Sequence, residues 1–152
     1  MIDWTQMQAA LFDLDGVLTP TAKVHEAAWA RMFNDFLERR DGPEYRPFVE
    51  QDYLTWVDGK PRYEGVRSFL ESRGIDRPYG DPDAAPGDDS VTALGNAKND
   101  MFNAVLESDG VEPYPDGVAL LDALAATTVR LAVVSSSANA VAVLEAAGLK
   151  ER

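Results

Sequence analysis

The chain has 152 residues, with 26 acidic and 14 basic side chains and a formal net charge of −12. That balance repels phosphodiester backbones and leaves nucleic acid outside the expected partners. The absence of cysteine and the single histidine exclude disulfides, thiol catalysis, cysteine–zinc centres and multi-histidine metal sites. A phosphorylated small molecule would need a local cation, and a divalent metal is the kind that so acidic a chain can hold. No stretch reaches the roughly 18 apolar residues of a membrane span. The first ten residues lack the positive charge and apolar run of a leader peptide. A cytoplasmic protein without membrane contact is expected.

Residues 9–13, Ala-Ala-Leu-Phe-Asp, form a short apolar run ending in an acid; with the Asp15-Gly16 turn directly after it, a buried strand is expected. Over 22–40, Val24, Ala28, Trp29, Met32, Phe33, Phe36 and Leu37 fall on one helical stripe. Arg39 and Arg40 suit the C-terminal dipole of that helix, and Gly42-Pro43 stops it. A second short helix is expected at 47–57, with Phe48, Tyr53, Leu54 and Val57 available for burial. The loop Asp58-Gly59-Lys60-Pro61 leads into a third helix at 62–73, closed by Gly74. Residues 76–90 hold three prolines and five aspartates and read as a solvated loop.

Ser90 can cap the next helix, in which Val91, Leu94, Met101, Phe102 and Val105 keep helical spacing to about 108. A turn at Pro113-Tyr114-Pro115-Asp116-Gly117 precedes a helix at 116–126 carrying Val118, Leu121 and Leu124. The β-branched-rich run 129–134 reads as a strand buried on both faces. It ends in Ser135-Ser136-Ser137, and a helix with Val141, Leu144 and Ala147 follows to Gly148. Two strands flanking a long all-helical stretch describe an α/β core with a helical insertion.

The sharpest chemical feature is Phe12-Asp13-Leu14-Asp15-Gly16-Val17-Leu18-Thr19. Two acids two residues apart at the C-terminal end of a strand sit where open α/β sheets bind ligands. In extended backbone alternate residues share a face, so both carboxylates can point into one crevice. One can attack phosphorus and form an acyl phosphate, while the other protonates the leaving oxygen and later deprotonates the incoming hydroxyl. Two such close carboxylates resist joint ionisation, and a Mg²⁺ ion would help keep the nucleophile charged. The bare Asp-x-Asp pattern also fits two solvated turn acids. Ser135-Ser136-Ser137, where a strand opens into a helix, fits an anion site or a plain serine cap.

These motifs resemble the haloacid dehalogenase superfamily of phosphohydrolases, in its β-phosphoglucomutase-like branch. The first motif is Asp13-Leu14-Asp15-Gly16-Val17-Leu18-Thr19, followed by Thr21 and His25, and the second is the strand 131–134 ending at Ser135. Leu94-Gly95-Asn96-Ala97-Lys98-Asn99 and Val111-Glu112-Pro113-Tyr114-Pro115-Asp116-Gly117 also match that branch. The resemblance implies a nucleophile and Mg²⁺ ligand at Asp13 and a general acid/base at Asp15, whose backbone carbonyl also meets the metal. It implies phosphoryl binding by the Ser135 hydroxyl and the Ser136 N–H. It gives substrate-side positions to His25, Gly59, Arg62, Lys98 and Asn139. Taken from the residues alone, Arg62 and Lys98 also fit ordinary surface positions, and His25 a structural hydrogen bonder. Trp29, Phe33 and Phe36 read as core.

The fold so implied is a partial Rossmann-like parallel-sheet core, 1–19 and 113–152, with a helical cap, 20–112, inserted after the first strand. The implied substrate is a small phosphorylated metabolite, a sugar phosphate, taken by a phosphatase or a phosphomutase. Two departures stand out. Ala138 occupies a position where sugar-phosphomutase relatives often carry lysine. The lysine and acidic pair of the family's later motifs have no counterpart here, so the C-terminal part of the core is expected to be missing and these 152 residues alone inactive. The alternative is a truncated, non-catalytic relative that acts only by association with another chain.

Overall fold

Parallel strands need a long crossover, because the end of the first and the start of the second lie at opposite edges of the sheet. In the computed structural model, which describes residues 3–151, β1 (Ala9–Phe12) and β2 (Arg130–Val133) pair in parallel, in register from Ala9↔Arg130 to Phe12↔Val133. Between them run α1 (Thr21–Asp41), α2 (Glu50–Asp52) continuing into a π-helical turn Tyr53–Val57, α3 (Arg62–Ser72), α4 (Val91–Asp109) and α5 (Pro115–Ala125), and α6 (Ala140–Ala146) follows β2. The architecture is α/β, a partial Rossmann-like parallel sheet with a helical segment inserted after its first strand. The chain divides into two compact units, one formed by the residues up to Lys23 with those from Ser108 onward, the other by Val24–Glu107. No helix among the described residues is long and apolar enough to cross a membrane.

In the sheet unit, Ala10, Leu124 and Val129 form the buried centre, with Trp4, Phe12 and Leu131 packed on it. Register pairs in a parallel ladder share a face, so Ala10 and Phe12 lie with Leu131 and Val133. The opposite face carries Leu11, 68% exposed, and Val134, 59% exposed. The expectation that the run 129–134 is buried on both faces is therefore corrected: among the described residues only one face of the two-stranded sheet is covered. The stripe expected for the last helix is corrected too. That helix starts only at Ala140, with Asn139 at its N-cap. This sets a phase in which Val143 is buried, as is Leu149 beyond the helix, while Val141 is exposed. Pro115 occupies the first turn of α5, where its missing N–H costs no hydrogen bond.

The helical unit has the larger apolar centre. Met32, Phe33, Phe36 and Leu37 of α1 meet Val66, Phe69 and Leu70 of α3 and Leu94 of α4. Three rings interlock at its middle, Phe33 with Phe69 at 4.2 Å, Phe33 with Phe48 at 5.0 Å and Phe48 with Phe69 edge-on at 4.9 Å, contacts that add to the area they bury. The helix expected over 47–57 is instead one α turn passing into a π turn closed by the Asp58 N–H on the Tyr53 carbonyl, at 2.9 Å. The wider turn shifts the facing residues, so Val57 is buried and Leu54 is exposed. Arg73 clips this segment down by donating to the carbonyls of Arg46 and Pro47 and to Asp52 Oδ2, the last at 2.8 Å.

The 76–90 loop has no regular structure but is tied down. The N–H groups of Val91 and Thr92 donate to the carbonyls of Pro78 and Tyr79, and the Asn96 amide donates to those of Pro82 and Ala84. Ser90 caps α4 through the Ala93 N–H, at 3.1 Å. Glycine is required at position 95, where a Cβ would stand 2.7 Å from Tyr63 Cδ1 and 3.2 Å from the Arg62 stem. Gly95→Ala is expected to lower stability by about 1–3 kcal/mol despite alanine's better helix propensity. A reduced midpoint in thermal or denaturant unfolding would register it, and an unchanged or raised midpoint would show that Tyr63 yields freely.

Candidate active site

The backbone after β1 turns sharply because one carbonyl collects three donors. Leu14 O accepts the N–H groups of Val17, Leu18 and Thr19 at 3.3, 3.0 and 3.0 Å, and Gly16 N–H donates to Thr19 O at 2.7 Å. Gly16 takes φ +81°, the left-handed region that glycine enters without strain. Leu14 and Leu18 point inward and are fully buried, while Asp13 is exposed and Asp15 half-buried. The alternation expected of the two acids is thus realised about a buried Leu14, although both lie just past the strand rather than in it. The loop is also moored to the chain before α5 by the Tyr114 N–H on Leu18 O, at 2.9 Å. Close by, a Cβ on Gly117 would come within 3.2 Å of Leu18.

Asp13 accepts its neighbour's N–H, from Leu14 to Oδ1 at 2.7 Å. Asp15 is held by side chains: Thr21 Oγ1 donates to Asp15 Oδ1, and Thr19 Oγ1 lies 2.7 Å from Thr21 Oγ1 and 3.2 Å from Leu14 O. Each hydroxyl has one proton. The carboxylate is the strongest acceptor, so Thr21 donates to it and Thr19 donates to Thr21. Both threonines are buried. Sequence reading noted them as part of a motif without giving them a task; the signal was there in hydroxyl residues four and six positions after Asp15.

The second strand delivers the serine loop to the same rim. The ladder continues past β2 with Val134 N–H on Phe12 O at 2.8 Å, so Asp13 and Ser135 leave neighbouring strand ends. Ser135 Oγ accepts the Ser137 N–H at 3.0 Å, and Ser137 Oγ accepts the Asn139 N–H at 3.2 Å. Ser135 therefore shapes a turn instead of capping a helix, and its hydroxyl proton is left to donate elsewhere. Ser136 is exposed on this loop, and Asn139 stands half-buried at the start of α6.

The remaining candidates belong to the helical unit. Gly59 has φ +72° and open space where a Cβ would sit, so the turn and not a close approach demands it. Arg62 opens α3, with its guanidinium 5.8 Å from the Tyr63 ring and its stem against Gly95. His25 and Lys98, 73 positions apart, meet with Nδ1 and Nζ 2.7 Å from each other. Among the described residues no three acidic or imidazole side chains gather as a metal-holding cluster. The oxygen donors at hand for a divalent cation are the Asp13 carboxylate and the Asp15 carbonyl, hard ligands of the kind Mg²⁺ takes but only part of its set of six.

With this geometry in view, comparison with known proteins gives consistent results. The family model for "haloacid dehalogenase-like hydrolase" matches residues 7–152. A β-phosphoglucomutase of Mycobacterium bovis is 47% identical over 148 residues, which cover 95% of this chain and 56% of that protein. The chain thus spans a little over half the length of this relative. Among solved structures, a β-phosphoglucomutase from Clostridium difficile superposes with TM-score 0.72 at 21% identity, covering 96% of this chain and 59% of the other. CbbY from Rhodobacter sphaeroides in complex with phosphate does so with TM-score 0.64 at 24% identity, over 93% and 57%. At those identities the two structures speak for the fold.

Thr21→Val keeps the shape of the side chain but removes the donor to Asp15 and the acceptor of Thr19. A loss of about 1–3 kcal/mol is expected, with Thr21→Ser restoring most of it. Denaturant titration measures both, and equal midpoints for Val and Thr would mean that the hydroxyl relay contributes nothing.

Proposed function

The chain belongs to the haloacid dehalogenase-like hydrolases, and from that premise we propose that it carries the nucleophile half of an enzyme that transfers a phosphoryl group of a small sugar phosphate. The observation that carries this reading is the rim where Asp13 and Ser135 leave adjacent parallel strands, joined by Val134 N–H on Phe12 O. A phosphoryl group must touch its nucleophile and the donors to its oxygens at the same time, and this pairing supplies both from one place.

In the proposed reaction an Asp13 carboxylate oxygen attacks phosphorus and the ester oxygen leaves with a proton from Asp15. The resulting acyl phosphate is then attacked by water or a sugar hydroxyl whose proton returns to Asp15. The Thr19–Thr21 relay orients that carboxylate. The Ser135 hydroxyl and Ser136 N–H donate to the phosphoryl oxygens, with Asn139 beside them. Mg²⁺ fits the Asp13 carboxylate and the Asp15 carbonyl and would supply positive charge beside the phosphoryl oxygens. The helical segment 20–112 is, on this reading, the cap, and its His25, Gly59, Arg62 and Lys98 recognise the rest of the sugar phosphate. The 47% identity to a β-phosphoglucomutase supports a sugar phosphate as substrate class. Ala138 leans toward phosphate release, and product analysis separates release from isomerisation.

The test is a screen of sugar phosphates with Mg²⁺, run on the 152-residue chain and on a form extended to the full length of its relatives. Turnover is expected from the extended form only. Each missing preorganised charge costs about 10²–10³-fold in rate, so the short chain falls below detection. In the extended form Asp13→Asn is expected to abolish turnover with the fold intact, since the amide cannot form the acyl phosphate. An Asp13→Asn protein that still turns over, shown free of deamidation by mass spectrometry, defeats the covalent mechanism.

A further inference from the structure

A half-buried guanidinium must bring its N–H donors to acceptors or to water. Three arginines of the helical unit are half-buried, Arg62, Arg73 and Arg77. Arg73 donates to Asp52 and to the carbonyls of Arg46 and Pro47, and Arg77 to those of Asp76 and Asp88. Arg62 donates to no acceptor among the described residues and meets no carboxylate there. Its place in the helix is costly as well. Arg62 is the first residue of α3, where the helix dipole is positive and a cation is disfavoured. Pro61 before it offers no side-chain cap, and Glu64, the acid of that first turn, is bound by Arg67 at 2.7 Å.

What holds Arg62 is a ring. Its guanidinium carbon lies 5.8 Å from the centroid of Tyr63. Its stem passes Gly95 of α4, where a Cβ would come within 3.2 Å of Arg62 Cδ and 2.7 Å of Tyr63 Cδ1. The ring is itself fixed by three contacts. Tyr63 Oη donates to Asn96 Oδ1 at 2.9 Å, Tyr79 meets it edge-on with centroids 6.2 Å apart, and Gly95 lets it lie against α4. Asn96 is set in turn by donating to the carbonyls of Pro82 and Ala84, at 3.0 and 2.9 Å.

We propose that Tyr63 is a positioning residue for Arg62, holding its guanidinium in one place before an anionic group arrives, with Gly95 and Asn96 setting the ring. This rests on the substrate-side role given to Arg62 above. A ring face attracts a cation through its quadrupole and occupies none of its N–H donors. A carboxylate in that place would hold the guanidinium too but would take the forked pair of donors that an anionic ligand needs. Rotamer freedom that Arg62 loses on folding is not lost again on binding.

The cradle is tested first on the 152-residue chain, by modification with phenylglyoxal followed residue by residue by mass spectrometry. Arg31 and Arg46 are exposed and serve as references. Arg62 is expected to react more slowly than either. Tyr63→Leu is expected to raise its rate about threefold, the size of a cation–π contact short of full desolvation, while Tyr63→Phe keeps it close to the wild type. Phe48→Leu loosens the apolar centre of the helical unit without touching Arg62 and is expected to leave its rate unchanged. A Tyr63→Leu rate equal to the wild type, or matched by Tyr63→Phe or Phe48→Leu, overturns the proposal.

Binding to the extended form carrying Asp13→Asn is then measured by calorimetry. Fructose 1,6-bisphosphate is the probe, and inorganic phosphate, which has no second anionic group, is its control. Arg62→Ala is expected to weaken the bisphosphate about tenfold or more and Tyr63→Leu about threefold, with Tyr63→Phe like its parent and inorganic phosphate unchanged throughout. If Arg62→Ala weakens the bisphosphate and Tyr63→Leu does not, the positioning role falls. If Arg62→Ala itself changes nothing, the substrate-side role of Arg62 is what fails, and the positioning role falls with it.

Discussion

The Val134 N–H on the Phe12 carbonyl, at 2.8 Å, closes the ladder between two strands of four residues each, and the proposed chemistry depends on where that ladder ends. Shifting the register of β2 by one residue would turn Leu131 and Val133 away from Ala10 and Phe12 and carry the serine loop along the strand by about 3.3 Å. That displacement exceeds the length of a hydrogen bond, so Ser135 and Asp13 would no longer leave the sheet at the same level. The apolar contacts of Leu124 and Val129 with Ala10 therefore help fix the relation between Asp13 and Ser135 as well as the stability of the sheet.

Beyond the ladder, precision is achieved by concentrating backbone donors on few acceptors. Leu14 O takes three N–H groups, and the Thr19 hydroxyl also approaches it. The loop from Asp13 to Thr19 is thus wound around one buried residue, with Leu14 and Leu18 as its apolar feet. A loop so built has little freedom to let the acids drift apart. The Thr21 hydroxyl then sets the Asp15 carboxylate from the first turn of α1, so a residue at the start of a helix orients an acid belonging to the strand end before it.

Much of this was legible in the sequence because the signals are local. The stripe from Val24 to Leu37 and the stop at Gly42-Pro43 describe α1 closely, Ser90 caps the helix it precedes, and the two acids flank an inward leucine. What was not legible depends on partners far along the chain or on helix phase. The π turn at Tyr53–Val57 has the same apolar residues that an α-helix would use, and only its packing against α3 tells the two apart. The buried Val143 in place of Val141 follows from a helix that starts after two serine turns. A continuous apolar run at 129–134 implies neighbours on both sides, yet Leu11 and Val134 remain open, because burial is a property of the whole sheet and not of the strand. His25 and Lys98 are each unremarkable in sequence, and nothing within one helix says that they meet.

The charge balance gives the cations their meaning. In a chain of net charge −12, most arginines of the helical unit are engaged in holding structure. Arg73 binds Asp52 and two carbonyls, Arg67 bridges to Glu64, Arg39 to Asp88, and Arg77 donates to Asp88 O while lying over Phe36. The exposed pairs, Arg67 with Glu64 and Arg39 with Asp88, contribute about 0–1 kcal/mol each. Their larger effect is local neutralisation, which keeps surplus acid from being the only field an anionic ligand would meet. Lys98 is placed differently, with its ammonium against the rings of Trp29 and Phe102 and the imidazole of His25. In a polyanion the field at any one point is set by the charges nearest to it, so where the few cations stand matters more than how many there are.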